Sequence, residues 1–139
     1  MPTTSFTGRC ACGKVAYEIA ADPIRMINCH CRDCQRASGS AFAALMGFPR
    51  AAATLTGEVR HFRAISDRGT ALDRGFCPDC GSPVTIAPQA RPDVIFVYAA
   101  SLDAPERFTP VANIFMKSAQ PWDHVDPGVP RFDGYPPPQ

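Results

Sequence analysis

The sequence predicts a mainly β domain with very little helix, and three observations carry that expectation. Fifteen prolines and ten glycines are spread along 139 residues, which interrupts the chain too often for long helices. The apolar runs between them are short and rich in Val, Ile, Phe and Tyr, as strands are. Hydrophobic residues make up 45% and charged residues 19%, the balance of a folded chain rather than a disordered one. The length fits a single domain, 1–139, since domains commonly run to roughly 100–200 residues.

Taken in order, strands are expected at 14–20, 40–48, 58–62, 71–76, 83–87 and 94–100. One short helical turn is expected at 32–37, where Arg32, Gln35, Arg36 and Ala37 are fair helix formers and Ser38-Gly39 supplies a stop. From Pro121 the chain reads as an extended tail, 121–139. Pro127, Pro130 and Pro136-Pro137-Pro138 withhold backbone donors from any ladder there. Trp122, Phe132 and Tyr135 are its expected anchors on the body of the protein.

Charge and hydropathy narrow the partners. The formal net charge is +1 with Lys and Arg scattered, so no basic stripe offers itself to nucleic acid. No run approaches the roughly 18 apolar residues of a membrane span, and the start lacks the basic-then-apolar pattern of a secretory signal. The expectation is a cytoplasmic protein with neither nucleic-acid nor membrane partners. Seven cysteines are then hard to read as disulfides, because reducing compartments keep thiols reduced and an odd count leaves one over.

The cysteines form three groups: Cys10-Ala11-Cys12-Gly13, Cys29-His30-Cys31-Arg32-Asp33-Cys34 and Cys77-Pro78-Asp79-Cys80-Gly81. A C-x-C pair in extended backbone turns both sulfurs to one side, and C-x-x-C brings two together across a turn. Both outer pairs are followed by glycine, which a metal knuckle needs where φ turns positive. Cys10, Cys12, Cys77 and Cys80 are therefore expected to close a structural zinc site. Cys29 and Cys31 would share a strand face with Cys34 one turn on, giving three ligands and an open fourth position. Open zinc positions are the catalytic kind. Two other readings compete: one metal site with three free buried thiols, and a reactive-thiol motif in the central group. Zinc at both sites, two ions per chain, explains more of the spacing.

Gly8-Arg9-Cys10-Ala11-Cys12-Gly13-Lys14-Val15, the run from Cys29 through Arg36 with Ser38-Gly39 after it, Phe76-Cys77-Pro78-Asp79-Cys80-Gly81 and Ser101-Leu102-Asp103 together resemble the glutathione-dependent formaldehyde-activating enzyme family, which includes centromere protein V. The resemblance spans nearly the whole chain. It implies a β-tent fold of twisted antiparallel sheets around two zinc sites, with a structural zinc on the outer cysteines and a catalytic zinc on the central three. It also implies a carbon–sulfur lyase activity in some members, the joining of glutathione and formaldehyde as S-hydroxymethylglutathione. Relatives commonly carry a histidine where this chain has Asn113, in Asn113-Ile114-Phe115-Met116, and a different substrate could follow from that departure.

Three thiolates on a zinc ion leave a net charge of about −1, which disfavours hydrolysis and favours a soft thiol as fourth ligand. Attack of that thiol on a small aldehyde is the expected chemistry. Arg32 and Arg36, on the turn beside the site, are candidates to pair with the carboxylates of a glutathione-like substrate. His30 falls between two ligands, yet at the middle of a C-x-C strand its ring faces the other way and is expected to pack or support. His61 and His124 lack metal-like spacing and are expected at the surface. Trp122 could close over the pocket or anchor the tail. Asp33 and Asp79 are expected to satisfy turn amides, while Lys117 and Asp123 have no assigned role. The rival to an enzyme is a non-catalytic zinc-stabilised binding module, and a third reading is the same scaffold acting on another thiol or carbonyl.

Overall fold

The computed structural model describes residues 5–66 and 68–136. Among them, ten strands form two sheets. Strands β1 (Phe6–Arg9), β2 (Ala16–Ile19) and β5 (Ala53–Thr56) make a three-stranded antiparallel sheet with β2 in the middle. The larger sheet has seven strands: β3 (Arg25–Cys29), β4 (Ala43–Pro49), β6 (Arg60–Ile65), β7 (Ala71–Phe76), β8 (Pro83–Pro88), β9 (Val94–Tyr98) and β10 (Ala112–Ile114). Its order is β10-β3-β4-β9-β8-β7-β6. Every pairing in it is antiparallel except β10 with β3.

The alternation of side chains along the central strands divides the core in two. Met46 and Phe48 of β4, Ile95 and Val97 of β9 and Val84 of β8 pack with Phe6, Tyr17 and Ile19 of the small sheet. Their neighbours in sequence Leu45 and Tyr98 point to the other face and pack with Ile27, Ile114 and Ile86; Ile86 lies two residues beyond Val84, past the register shift between β7 and β8. Central strands covered on both faces read as continuous apolar runs, which is why β4 shows no polar alternation. Burying each such Leu, Ile or Phe contributes about 1.5–3 kcal/mol.

The single α-helix, α1 (Arg32–Ser38), begins three residues after β3 ends. Cys31 caps it, the Cys34 amide donating to the Cys31 sulfur at 3.3 Å, and Gly39 closes it at φ 69°. This agrees with the expected turn and its stop. Strand β7 has the predicted bounds, and β4, β8 and β9 lie within three residues of theirs. Strands β2 and β6 overlap their expected ranges, while β1, β3, β5 and β10 had no strand assigned.

The final segment adds to the edge of β10. The Asn113 amide donates to the Pro130 carbonyl, the Phe132 amide to Asn113, and the Met116 amide to Phe132. Phe132 packs against the second core, and Tyr135 meets Phe115 edge-on with ring centroids 4.7 Å apart. Trp122 is not the expected anchor: it is 64% exposed. Pro137 and Pro138 of the predicted tail lie outside the described residues.

Candidate metal centre

The two outer cysteine pairs meet although 65 residues separate Cys12 from Cys77. Each sits on its own turn. The Gly13 amide donates to the Cys10 carbonyl and the Gly81 amide to the Cys77 carbonyl, with φ of 83° and 76° at the two glycines. These are the knuckle conformations that the glycines were expected to supply, although Cys10 and Cys12 stand on a turn rather than on extended strand. The four sulfurs lie within 4.8 Å of one another, with Cys10 to Cys12 at 3.6 Å and Cys12 to Cys77 at 3.7 Å. Sulfurs of a tetrahedral zinc site, at Zn–S distances near 2.3 Å, are about 3.8 Å apart. The donor set and its spacing therefore fit zinc.

Polar contacts hold the pairs in register. The Val15 amide donates to the Cys10 sulfur, the Ala11 amide to the Ser82 hydroxyl, and Cys80 lies 3.2 Å from that same hydroxyl. Ser82, helped by backbone amides, draws the Cys80 thiol down to about 5. Cys12 moves up to about 11; the Lys14 amide pulls it down, but burial and the three neighbouring sulfurs outweigh that. Asp79, expected to serve turn amides, instead pairs with Lys14 at 2.9 Å and ties one knuckle to the other.

The central trio forms where β3 runs into α1. Cys29 follows Ile27 by two residues and so shares its face, Cys31 is the helix cap, and Cys34 lies buried on the first turn. Their sulfurs lie within 4.8 Å of one another. Cys31 is held well below the ordinary thiol range by hydrogen bonds from Cys29 and Cys34, and Cys29 is driven far above it by the same two sulfurs and by burial. Among the described residues, no fourth His, Cys, Asp or Glu joins the trio.

A sequence profile of the glutathione-dependent formaldehyde-activating enzyme family matches residues 5–118. The chain belongs to that family. No curated protein matches it. Among solved structures, a Rhodobacter sphaeroides protein is similar in fold, with a TM-score of 0.58 and 18% identity over 91% of this chain and 98% of that one.

In this member of the formaldehyde-activating enzyme family the trio opens on a cavity of about 340 Å³. Its floor is apolar, built from Leu45, Leu72, Ile86, Phe96 and Ile114, and Phe115 and Tyr135 line it beside the tail. Phe115 holds the left-handed conformation, φ 58° and ψ 40°. For a bulky side chain that conformation is strained and is kept only where surrounding structure enforces it. Here the hydrogen bonds from 115 and 116 to the tail, and the Tyr135 ring, do so.

Arg32 and Arg36 are exposed on α1 and stand outside the cavity lining; Arg68, Arg74 and Arg91 line it instead. Arg74 is half buried, its Nη2 3.6 Å from the Cys34 sulfur and its Nη1 donating to the Tyr98 hydroxyl at 3.1 Å. Burial works against its charge, but the Cys34 sulfur and Tyr98 hold Arg74 above the ordinary guanidinium range. Nothing in the local sequence of β7 singles out Arg74; only the sheet register brings it to the trio.

His30 is 1% exposed and turns away from the sulfurs, as expected. Its Nε2 donates to Asn113 Oδ1 at 3.0 Å, which also accepts from the Asn28 side chain at 3.2 Å, and its Nδ1 faces Asp123 Oδ2 at 3.6 Å. Asn113 thus supports the end of β3 and does not line the cavity. Gln35, which sequence reasoning missed, donates to the carbonyls of His30 and Ser118 at 2.7 and 2.9 Å and accepts from Arg32. His61 and His124 are exposed, and Asp33 lines the cavity. No described helix is long and apolar enough to cross a membrane.

Proposed function

We propose that the chain is a zinc-dependent enzyme of the carbon–sulfur lyase type, joining or separating a glutathione-like thiol and a small aldehyde. The observation that carries this reading is an incomplete donor set at a cavity: three sulfurs, from Cys29, Cys31 and Cys34, with no fourth donor among the described residues. Structural zinc sites have four protein ligands and catalytic ones three. On this reading Cys10, Cys12, Cys77 and Cys80 hold a second, structural zinc. Zinc on the trio would keep the substrate sulfur as a nucleophilic thiolate at neutral pH. Membership of the formaldehyde-activating enzyme family supports the same chemistry.

The chain's own residues supply the surroundings. Leu45, Ile86 and Phe96 give the trio an apolar surround, which favours a thiol over water as the group that adds to the carbonyl. The Arg74 guanidinium offsets part of the negative charge of three thiolates and offers a donor to a carbonyl oxygen that gains charge as sulfur adds. His30 and Asn113 fix the end of β3 from behind, and Gln35 fixes α1 against the 118–120 segment. No side chain needs to become covalently modified.

The test follows exchange between glutathione and formaldehyde by NMR. Native protein is expected to exceed the uncatalysed rate, and Cys31→Ser to fall to it while zinc drops from two per chain to one. Equal exchange in both, at the uncatalysed rate, with formaldehyde and with a larger aldehyde alike, removes the reading. A zinc-bound structure in which a protein side chain completes the trio would favour a binding module instead.

A further inference from the structure

Resting on that reading, we infer that the carbonyl partner is not a one-carbon aldehyde but a compound with an apolar body ending in a carboxylate. The first argument is size. A one-carbon aldehyde is little larger than a water, whose share of liquid volume is about 30 Å³, and the cavity beside the trio measures about 340 Å³. That is the scale of pockets that enclose whole organic ligands.

The second argument is the order of chemistry along the strands. Cys29 lies opposite Ala43 at the start of β4, whereas Pro49 at its end lies opposite Val94 at the start of β9. Arg91, three residues before Val94, therefore stands at the far end of the strands from Cys29, and both line the same cavity. Between them runs a floor of Leu45, Phe96, Ile86 and Leu72. The amides of a glutathione-like thiol would go unpaired on such a floor, so that thiol reaches the trio by its sulfur end and leaves the floor to the carbonyl compound, whose alkyl chain or aromatic ring gains by covering it.

The third argument is charge. Three guanidinium groups line the cavity, Arg68, Arg74 and Arg91, against one carboxylate, Asp33. Arg74 stands at the trio end of the cavity, against Cys34 and Tyr98. Arg68 lies 4.0 Å from the centre of the Tyr135 ring, whose face it covers, and Arg91 meets the exposed Asp93 carboxylate through Nε at 3.3 Å and Nη2 at 3.4 Å, which leaves its Nη1 free of that pair. Both keep donors for an anion. In the reaction the thiol S–H breaks, the sulfur bonds to the carbonyl carbon, and the carbonyl oxygen takes up a proton. No leaving group or oxidant is needed, and the far carboxylate is unchanged.

Two measurements on the zinc-loaded protein test this. Binding of 4-methylbenzoate, which cannot react, is followed by titration calorimetry and by methyl NMR. It is expected to be at least about tenfold tighter than acetate, to shift the Leu72 and Ile86 methyl signals, and to weaken about tenfold in Arg91→Gln or Arg68→Gln. Exchange with glutathione is then compared for 4-carboxybenzaldehyde and formaldehyde, the former expected to have the higher kcat/KM. Equal binding of 4-methylbenzoate and acetate, or a kcat/KM for formaldehyde that matches or exceeds that of the aryl aldehyde, overturns the inference. If 4-methylbenzoate binds as described but neither aldehyde exchanges above the uncatalysed rate, the thiol–carbonyl reaction falls and the ligand class stands.

Discussion

At the scale of single residues, the polar groups buried behind the trio carry most of the risk in this fold. Asn113 Oδ1 is the acceptor for both His30 and Asn28, and all three side chains are buried. Asn113→Ala leaves two donors without a partner, at about 1–3 kcal/mol for each buried group. A loss of about 2–4 kcal/mol in urea unfolding, with zinc content unchanged, is the expected outcome. Tyr17 gives a second prediction. Burial pushes its phenol up to about 12, against the Ser101 hydrogen bond that draws it down. The fold thus favours the neutral phenol, so its contribution is complete below pH about 10, the unfolded value, and vanishes as pH rises through about 12. Native protein should lose about 2–3 kcal/mol across that interval that Tyr17→Phe does not lose, as read from urea titrations at pH 9 and 12.

At the scale of elements, the sequence was legible where a strand has enough residues to show its pattern. Strand β7 and the α1 stop at Gly39 could be read directly, because Gly39 has a backbone need that only certain residues meet. Strand β10 has three residues, and β1 carries Thr and Gly at its centre, so neither offers a run long enough to detect. Strand β3 was hidden for another reason: Asn28 interrupts it, and Asn28 is there to meet Asn113 rather than to favour a strand. The cysteine groups were legible because ligand spacing is local. Arg74 was not, since its place beside Cys34 depends on the pairing of the three strands, β4, β9 and β8, that lie between β3 and β7. The tail is also an element, and ending the chain after Val129 removes the Phe132 and Tyr135 contacts with the β10 edge. That truncation is expected to cost about 3 kcal/mol, seen as a lowered Tm, and to free Phe115 from its strained conformation.

At the scale of the whole molecule, the four outer cysteines join the small sheet to the start of β8, and the trio lies across the large sheet from that junction. Stripping metal should therefore have two separable effects. A strong chelator is expected to abolish exchange first, as the three-ligand site empties, and to unfold the protein later, as the four-ligand site does. Structural zinc contributes on the order of 10 kcal/mol in small metal-dependent folds. Cys77→Ser should accordingly give unfolded protein, and Cys31→Ser folded but inactive protein, by circular dichroism. Ligand thiols must lose protons to bind metal, so both cysteine clusters should release a bound metal more readily as pH falls.

The distance along the chain between the two knuckles also sets a timetable for biosynthesis. With Cys77 made 65 residues after Cys12, and ribosomes adding about 5–20 residues per second, the first pair waits roughly 3–13 s for its partners. Through that delay Cys10 and Cys12 are bare nascent thiols, open to oxidants and to foreign metals. A thiol-alkylating pulse applied to stalled ribosomes should label them in chains that have not yet released Cys80, and spare them once that residue has left the exit tunnel.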